Sequence, residues 1–199
     1  MSQEHPTAYR STAAGALRAA DVGATVRLAG WVHRRRDLGG VIFIDLRDRS
    51  GLVQLSLGPD WTGADSLEAA SRLGAETVIA VEGGVARRPE GQENDELATG
   101  EVEVHVRSLE VLAAAEPLPI PVYQVPGEEP PSEELRLRYR YLDLRRDLLR
   151  RALGVRHRAL QVVRRHLSDE GFWEVDTPML TRRTPEGARD YLVPSRLHP

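Results

Sequence analysis

The chain has 199 residues, 41% of them hydrophobic and 29% charged, with a formal net charge of −3, which suits one large or two modest soluble domains. It contains no Cys, and no two His stand at ligand-like local spacing, so disulfide frameworks and thiolate sites are excluded and no metal site is expected. No run approaches the ~18 apolar residues of a membrane span, and MSQEHPTAYR lacks a basic-then-apolar signal pattern, so a cytoplasmic protein with no membrane partner is expected.

From Thr25 the chain reads as strands in series. TVRLAGWVHRRR alternates Val26, Leu28 and Val32 against Arg27, Trp31 and His33, and VIFIDLRD alternates Ile42, Ile44 and Leu46 against Val41, Phe43, Asp45 and Arg47. Period two means one buried face and one open face. Asp37-Leu38-Gly39-Gly40 and Asp48-Arg49-Ser50-Gly51 supply hairpin turns. LVQLSL then buries Val53, Leu55 and Leu57, with Gln54 pointing the other way. A helix around Asp65–Leu73 follows, and TVIAVEGGVARR and GEVEVHVRSLEVL add two strands, the last with Val102, Val104 and Val106 on one side and Glu103 and His105 on the other.

Three strands, a helix and two strands is the order of the five-stranded oligonucleotide/oligosaccharide-binding (OB) barrel, whose second and third strands carry the usual binding face. In this register Phe43, Gln54 and Glu103 lie on the non-core face. Phe43, flanked by Arg36 and Arg47, offers a splayed-out base a stacking plane, a backbone cation and an amide to read its edge; the alternative is a half-buried barrel residue. All 27 basic residues are Arg. A compositional bias of the source explains that first, although the planar fork of Arg also suits phosphate and base recognition. Residues 1–112 hold 12 Arg against 17 acids, a balance of −5, so nucleic-acid binding there must come from a local patch.

Residues 113–134 contain six prolines and one glycine, the composition of a stiff, extended connector. Ser132, Glu133 and Glu134 open a helix, and LRLRYRYLDLRR keeps helical spacing. A long helix from about Leu148 to Glu170 sets Leu153, Leu160, Val163 and Leu167 on one face, with Gly171 as its cap. Its apolar stripe calls for a covering surface, from a longer chain or a second subunit. Beyond it, Glu186, Arg189 and Asp190 fall in a glycine-containing loop suited to a small charged ligand. The expected organisation is thus a barrel over 1–112, a linker over 113–134 and a second domain from 135 to 199.

Four stretches carry a resemblance. GWVHRRRDLGGVIFIDLRDRSGLVQL resembles the anticodon-binding barrel of bacterial-type aspartyl-tRNA synthetases, and RYRYLDLRR resembles the entry to their catalytic domain. GFWEVDTPML resembles motif 1 of class II synthetases, and TPEGARDYLVPSR the aspartate-specific loop. The whole chain is similar to the N-terminal third of that family. The resemblance implies a mixed fold, with an OB barrel, a linker and the first α/β elements of a class II catalytic domain. It implies that Phe43 stacks an anticodon base while Arg36, Gln54 and Glu103 read neighbouring edges. Pro178 becomes the motif 1 proline at a homodimer interface, Glu186 the contact of the aspartate amino group, and Arg189 and Asp190 shapers of that loop. The implied function is aspartate–tRNA ligase, with ATP and Mg2+ as cofactors of the full-length enzyme and L-aspartate and tRNA-Asp as partners. Motifs 2 and 3 of the family lie beyond Pro199, so the chain alone is expected to bind neither cofactor and to be inactive. A non-catalytic anticodon-binding module is the alternative, and a generic single-strand binder fits less well with the acidic first domain.

Overall fold

The computed structural model describes residues 7–123, 127–180 and 193–197, and the chain divides into two compact units, Met1–Pro119 and Ile120–Pro199.

The first unit is a closed five-stranded barrel. Its elements are β1 (Thr25–Leu38), β2 (Val41–Arg47), β3 (Leu52–Leu57), α1 (Ala64–Ser71), β4 (Val78–Arg87) and β5 (Val102–Ala113). Around the barrel the order is β1-β2-β3-β5-β4, antiparallel except for the β3–β5 pair, which is the OB architecture. β1 is long enough to serve two neighbours: its first half pairs with β4 and its second half with β2, with a bulge between Val32 and Arg34. Such a bulge bends the strand around the barrel corner.

The alternation read from the sequence is the alternation of the core. Leu28, Val32, Ile44, Leu46, Val53, Leu55, Leu57, Val104 and Val106 are fully buried, and Ala70 and Leu73 of the α1 region join them. Both hairpin turns form. Gly39 and Gly40 have φ of 64° and 90°, values a side chain resists. In the second turn Asp48 accepts from the backbone N–H of Ser50 and Gly51 and, through its other oxygen, from Ala14 at 2.8 Å, tying the N-terminal segment to the barrel.

One half-buried cluster sits on the outer side of the β1–β2 corner. Arg47 Nη2 donates to both oxygens of Glu76 at 2.6 and 2.7 Å, and its Nη1 meets His33 Nδ1 at 3.1 Å. Arg is always a donor, so Nδ1 accepts and must be unprotonated. Burial, then the Arg47 charge, hold the His33 imidazole below its ordinary value, against the pull of Asp45 and Glu76. A group with a depressed folded-state pKa takes up its proton first in the unfolded chain. Barrel stability is therefore expected to be complete above about pH 6.5 and to fall as the pH drops below it. Denaturant midpoints from pH 8 to 5.5 check this, and His33→Gln should flatten the slope; an equal slope in both proteins would show that His33 is not its source.

In the second unit, Ser132 caps α2 (Glu133–Arg138) by accepting from Leu135 N–H, as its position before two glutamates predicts. The continuous helix expected over LRLRYRYLDLRR is instead two pieces, α2 and α3 (Arg140–Asp143), broken at Tyr139, whose φ −106° and ψ 47° are not helical. The physical reason is Asp143. Its fully buried carboxylate takes hydrogen bonds from Arg136 Nε at 3.0 Å and Arg140 Nη1 at 2.7 Å, with Arg146 Nη1 at 3.6 Å, and the break swings these cations round one acceptor. α4 (Asp147–Asp169) follows. It ends in a Schellman motif: Gly171 N–H bonds Ser168 C=O, Phe172 N–H bonds Leu167 C=O, and Gly171 has φ 87°. Leu153, Leu160, Val163 and Leu167 are all exposed along α4. No helix among the described residues is long and apolar enough to cross a membrane.

Candidate nucleic-acid interface

β1, β2, β3 and β5 bring Arg36, Phe43, Gln54 and Glu103 onto one outer face of the barrel. The register sets two rows across the strands. In one, Asp45 stands opposite Gln54, and Gln54 opposite Glu103. In the next, Arg36 stands opposite Phe43, Phe43 opposite Ser56, and Ser56 opposite His105.

A chain of hydrogen bonds runs along the first row. Arg36 Nη2 donates to Asp45 Oδ1 at 2.9 Å and to Gln54 Oε1 at 3.2 Å. Gln54 Nε2 donates to Glu103 Oε2 at 2.7 Å, and His105 Nε2 meets Glu103 Oε1 at 2.9 Å. With a pure donor at one end and a carboxylate at the other, only one orientation of the Gln54 amide satisfies both neighbours. The same logic makes His105 Nε2 the protonated nitrogen. A side chain held in one orientation loses little freedom on binding a ligand.

Gln54 and Glu103 lie on the outer face, as the alternation predicts, yet they are only 9% and 4% exposed. Period two says which face a side chain takes; it does not say what else covers that face. Here Arg36 and His105 lie across them. The Arg36 guanidinium also hangs over the Phe43 ring, 6.0 Å from its centroid, at the outer limit of a cation–π contact. Arg47, the other expected flanking cation, is engaged by Glu76 instead.

The sequence reading missed three participants. Arg88, one residue past β4, is buried and donates from Nε to Val102 C=O at 3.2 Å. Burial pushes its guanidinium below the ordinary range, while Glu103 and Asp45 draw it back up. Arg88 Nη2 and Arg36 Nε are buried donors with no partner among the described residues, an arrangement that costs about 1–3 kcal/mol per group until an acceptor arrives. The others are His105, which shares the Glu103 face by period two, and Trp61, which sits in a loop where no period could mark it. Arg36 and Arg88 lie close to Asp45 and Glu103, so charges of both signs meet on this face.

Comparisons with known proteins bear on the family and the fold. Residues 26–112 match the model of the OB-fold nucleic acid binding domain, and residues 132–199 match that of the class II tRNA synthetases (D, K and N). The aspartate–tRNA(Asp/Asn) ligase of Rubrobacter xylanophilus is 55% identical over 191 residues, and that of Synechococcus sp. is 58% identical over 189. The chain is a homologue of the aspartyl-tRNA synthetases of class II. The matches cover 96% and 94% of the chain but 31% of each relative, so the chain spans about a third of their length. Among solved structures, asparaginyl-tRNA synthetase from Pyrococcus horikoshii complexed with asparaginyl-adenylate is 34% identical with TM-score 0.70, over 84% of this chain and 36% of that one.

Two family-implied positions stand differently. Pro178 is exposed at the end of the described second unit. Glu186, with Arg189 and Asp190, lies outside the described residues. Class II synthetases use ATP and a metal ion; among the described residues no group of three or more His, Cys, Asp or Glu could hold a metal ion.

Proposed function

We propose that this chain is the anticodon-recognition barrel and the opening of the catalytic domain of an aspartate–tRNA ligase, the enzyme that forms aspartyl-adenylate from L-aspartate and ATP with Mg2+ and passes the aspartyl group to tRNA-Asp. The observation that carries the reading is the Arg36–Gln54–Glu103 chain of hydrogen bonds beside Phe43, on the outer face of a barrel homologous to nucleic acid binding domains. Phe43 stacks one splayed-out anticodon base. Arg36, Gln54 and Glu103 present donors and acceptors to base edges, and the buried donors of Arg36 and Arg88 gain acceptors only when RNA is bound. Glu186 meets the ammonium of aspartate, a carboxylate beside a cation. In the whole enzyme, Pro178 and the apolar stripe of α4 lie at the interface of a homodimer.

Binding of the 199-residue chain to a tRNA-Asp anticodon stem-loop tests the central claim. Phe43→Ala should cost ~1–3 kcal/mol of binding free energy, the loss of one stacked base. Unchanged affinity would remove Phe43 from the site, and equal affinity for an unrelated anticodon loop would leave only a generic single-strand binder.

A further inference from the structure

The same face carries a pair of rings that the reading above does not use. Trp61 and His105 are stacked, with ring centroids 4.8 Å apart and planes 21° from parallel. Both rings are pinned. Trp61 Nε1 donates to Ser56 C=O at 3.0 Å, and its six-membered ring lies against Gly58, where an added Cβ would come within 2.5 Å of the indole. His105 Nε2 is held by Glu103, yet the His105 side chain is 40% exposed. A half-exposed stacked pair fixed by hydrogen bonds at its edges is well placed to receive another flat group.

The register gives the spacing. Phe43 and His105 occupy the same row on β2 and β5, separated by Ser56 on β3. Strands about 4.8 Å apart put the two backbones about 10 Å apart. That backbone spacing is about three times the ~3.4 Å stacking rise, which suits one base at each of two stations. We propose that the Trp61–His105 pair is a second base-stacking station, holding the loop nucleotide next to the one on Phe43. This inference rests on the proposed anticodon-binding face. It adds two residues to that face and makes the recognised unit a splayed-out dinucleotide. Because Glu103 accepts from both His105 and Gln54, the second station is also braced by the edge-reading chain of the first.

The 199-residue chain and an aspartate anticodon stem-loop, made with an abasic nucleotide at each loop position in turn, provide the test. The position at which the Phe43→Ala penalty disappears marks the nucleotide on Phe43. His105→Ala should weaken binding of the intact loop about fivefold or more, and this penalty should disappear when the abasic position is a direct neighbour of the Phe43 nucleotide. His105→Phe keeps a stacking plane without the Glu103 bond, and should bind within about twofold of the parent if the stacking energy is retained. Melting midpoints guard against a folding defect in Trp61→Ala, and the exposed His105 variants carry the test if that protein is unstable. If Phe43→Ala weakens binding while the His105 and Trp61 variants bind like the parent, the second station is wrong and the anticodon face stands. A His105→Ala penalty equal against every abasic loop, or one shared by His105→Phe, would assign His105 to positioning Glu103 and also overturn the station. No binding by the parent chain overturns both readings.

Discussion

Substituting Gly83 by Val is expected to unfold the barrel at room temperature or to cost about 3 kcal/mol or more. Gly83 is buried on β4, where the ladder to β5 shifts register between Glu82 and Gly83. A Cβ there would sit 2.3 Å from the backbone oxygen of His105 and 2.9 Å from Val104 Cγ1. Backbone cannot swing aside as a side-chain tip can, so β5 would have to move, and overpacking of this kind exceeds the usual ~1–3 kcal/mol. Gly84 is the control: a Cβ there meets nothing nearer than the Arg107 side chain at 3.8 Å, so Gly84→Ala should stay within about 0.5 kcal/mol. Urea melts of both variants decide, and equal midpoints would show that β4 and β5 are not held as closely as described. Since the displaced oxygen belongs to His105, the proposed RNA face predicts that a Gly83→Ala protein loses RNA affinity along with stability.

The second large effect is expected at Asp143. Its carboxylate has no exposed surface and faces Arg136, Arg140 and Arg146, whose side chains are 29%, 47% and 8% exposed. Removing one partner of a buried ionic cluster costs ~3–5 kcal/mol, because the remaining charges are left unpaired. Two of these Arg keep access to water, so the lower end, about 3 kcal/mol, applies to Asp143→Ala. Asp143→Asn keeps the acceptor oxygen and should cost less. Asp147, exposed and paired with Arg150 at 2.5 Å, is the matched control, and its replacement by Asn should cost under about 1 kcal/mol. Amide exchange over residues 133–146 reads the outcome: protection there that survives Asp143→Ala would show that the helical break is held by something else.

These two sites also mark where the sequence was readable. The barrel was legible because Val26, Leu28 and Val32, then Ile42, Ile44 and Leu46, repeat with period two, and a buried face imposes that period. Gly83 looked like any strand glycine, since the backbone oxygen it makes room for comes from a strand twenty residues later. The α2–α3 break was illegible for a related reason. LRLRYRYLDLRR satisfies helical spacing throughout, and only the burial of one Asp among three Arg makes the bend favourable. At the candidate interface, alternation put Phe43, Gln54 and Glu103 on a common face, while the family resemblance singled them out as a set with Arg36. Neither could disclose that Gln54 and Glu103 are roofed over, or that Arg88 and Trp61 reach in from outside the regular strands. Contacts made by loops and strand ends carry no period to read.

The parallel pairing of β3 with β5 has a consequence for how the protein is made. β5 is the last strand of the barrel to leave the ribosome, and it bonds to both β3 and β4. A nascent chain that ends before Val102 has no Glu103 to receive the Gln54 amide and no His105 to meet Trp61. The Gln54–Glu103 and Trp61–His105 contacts therefore form in the same event that seals the barrel, a non-local closure of the kind that folds slowly. Under the proposed function, a half-translated product has no assembled face with which to compete for tRNA.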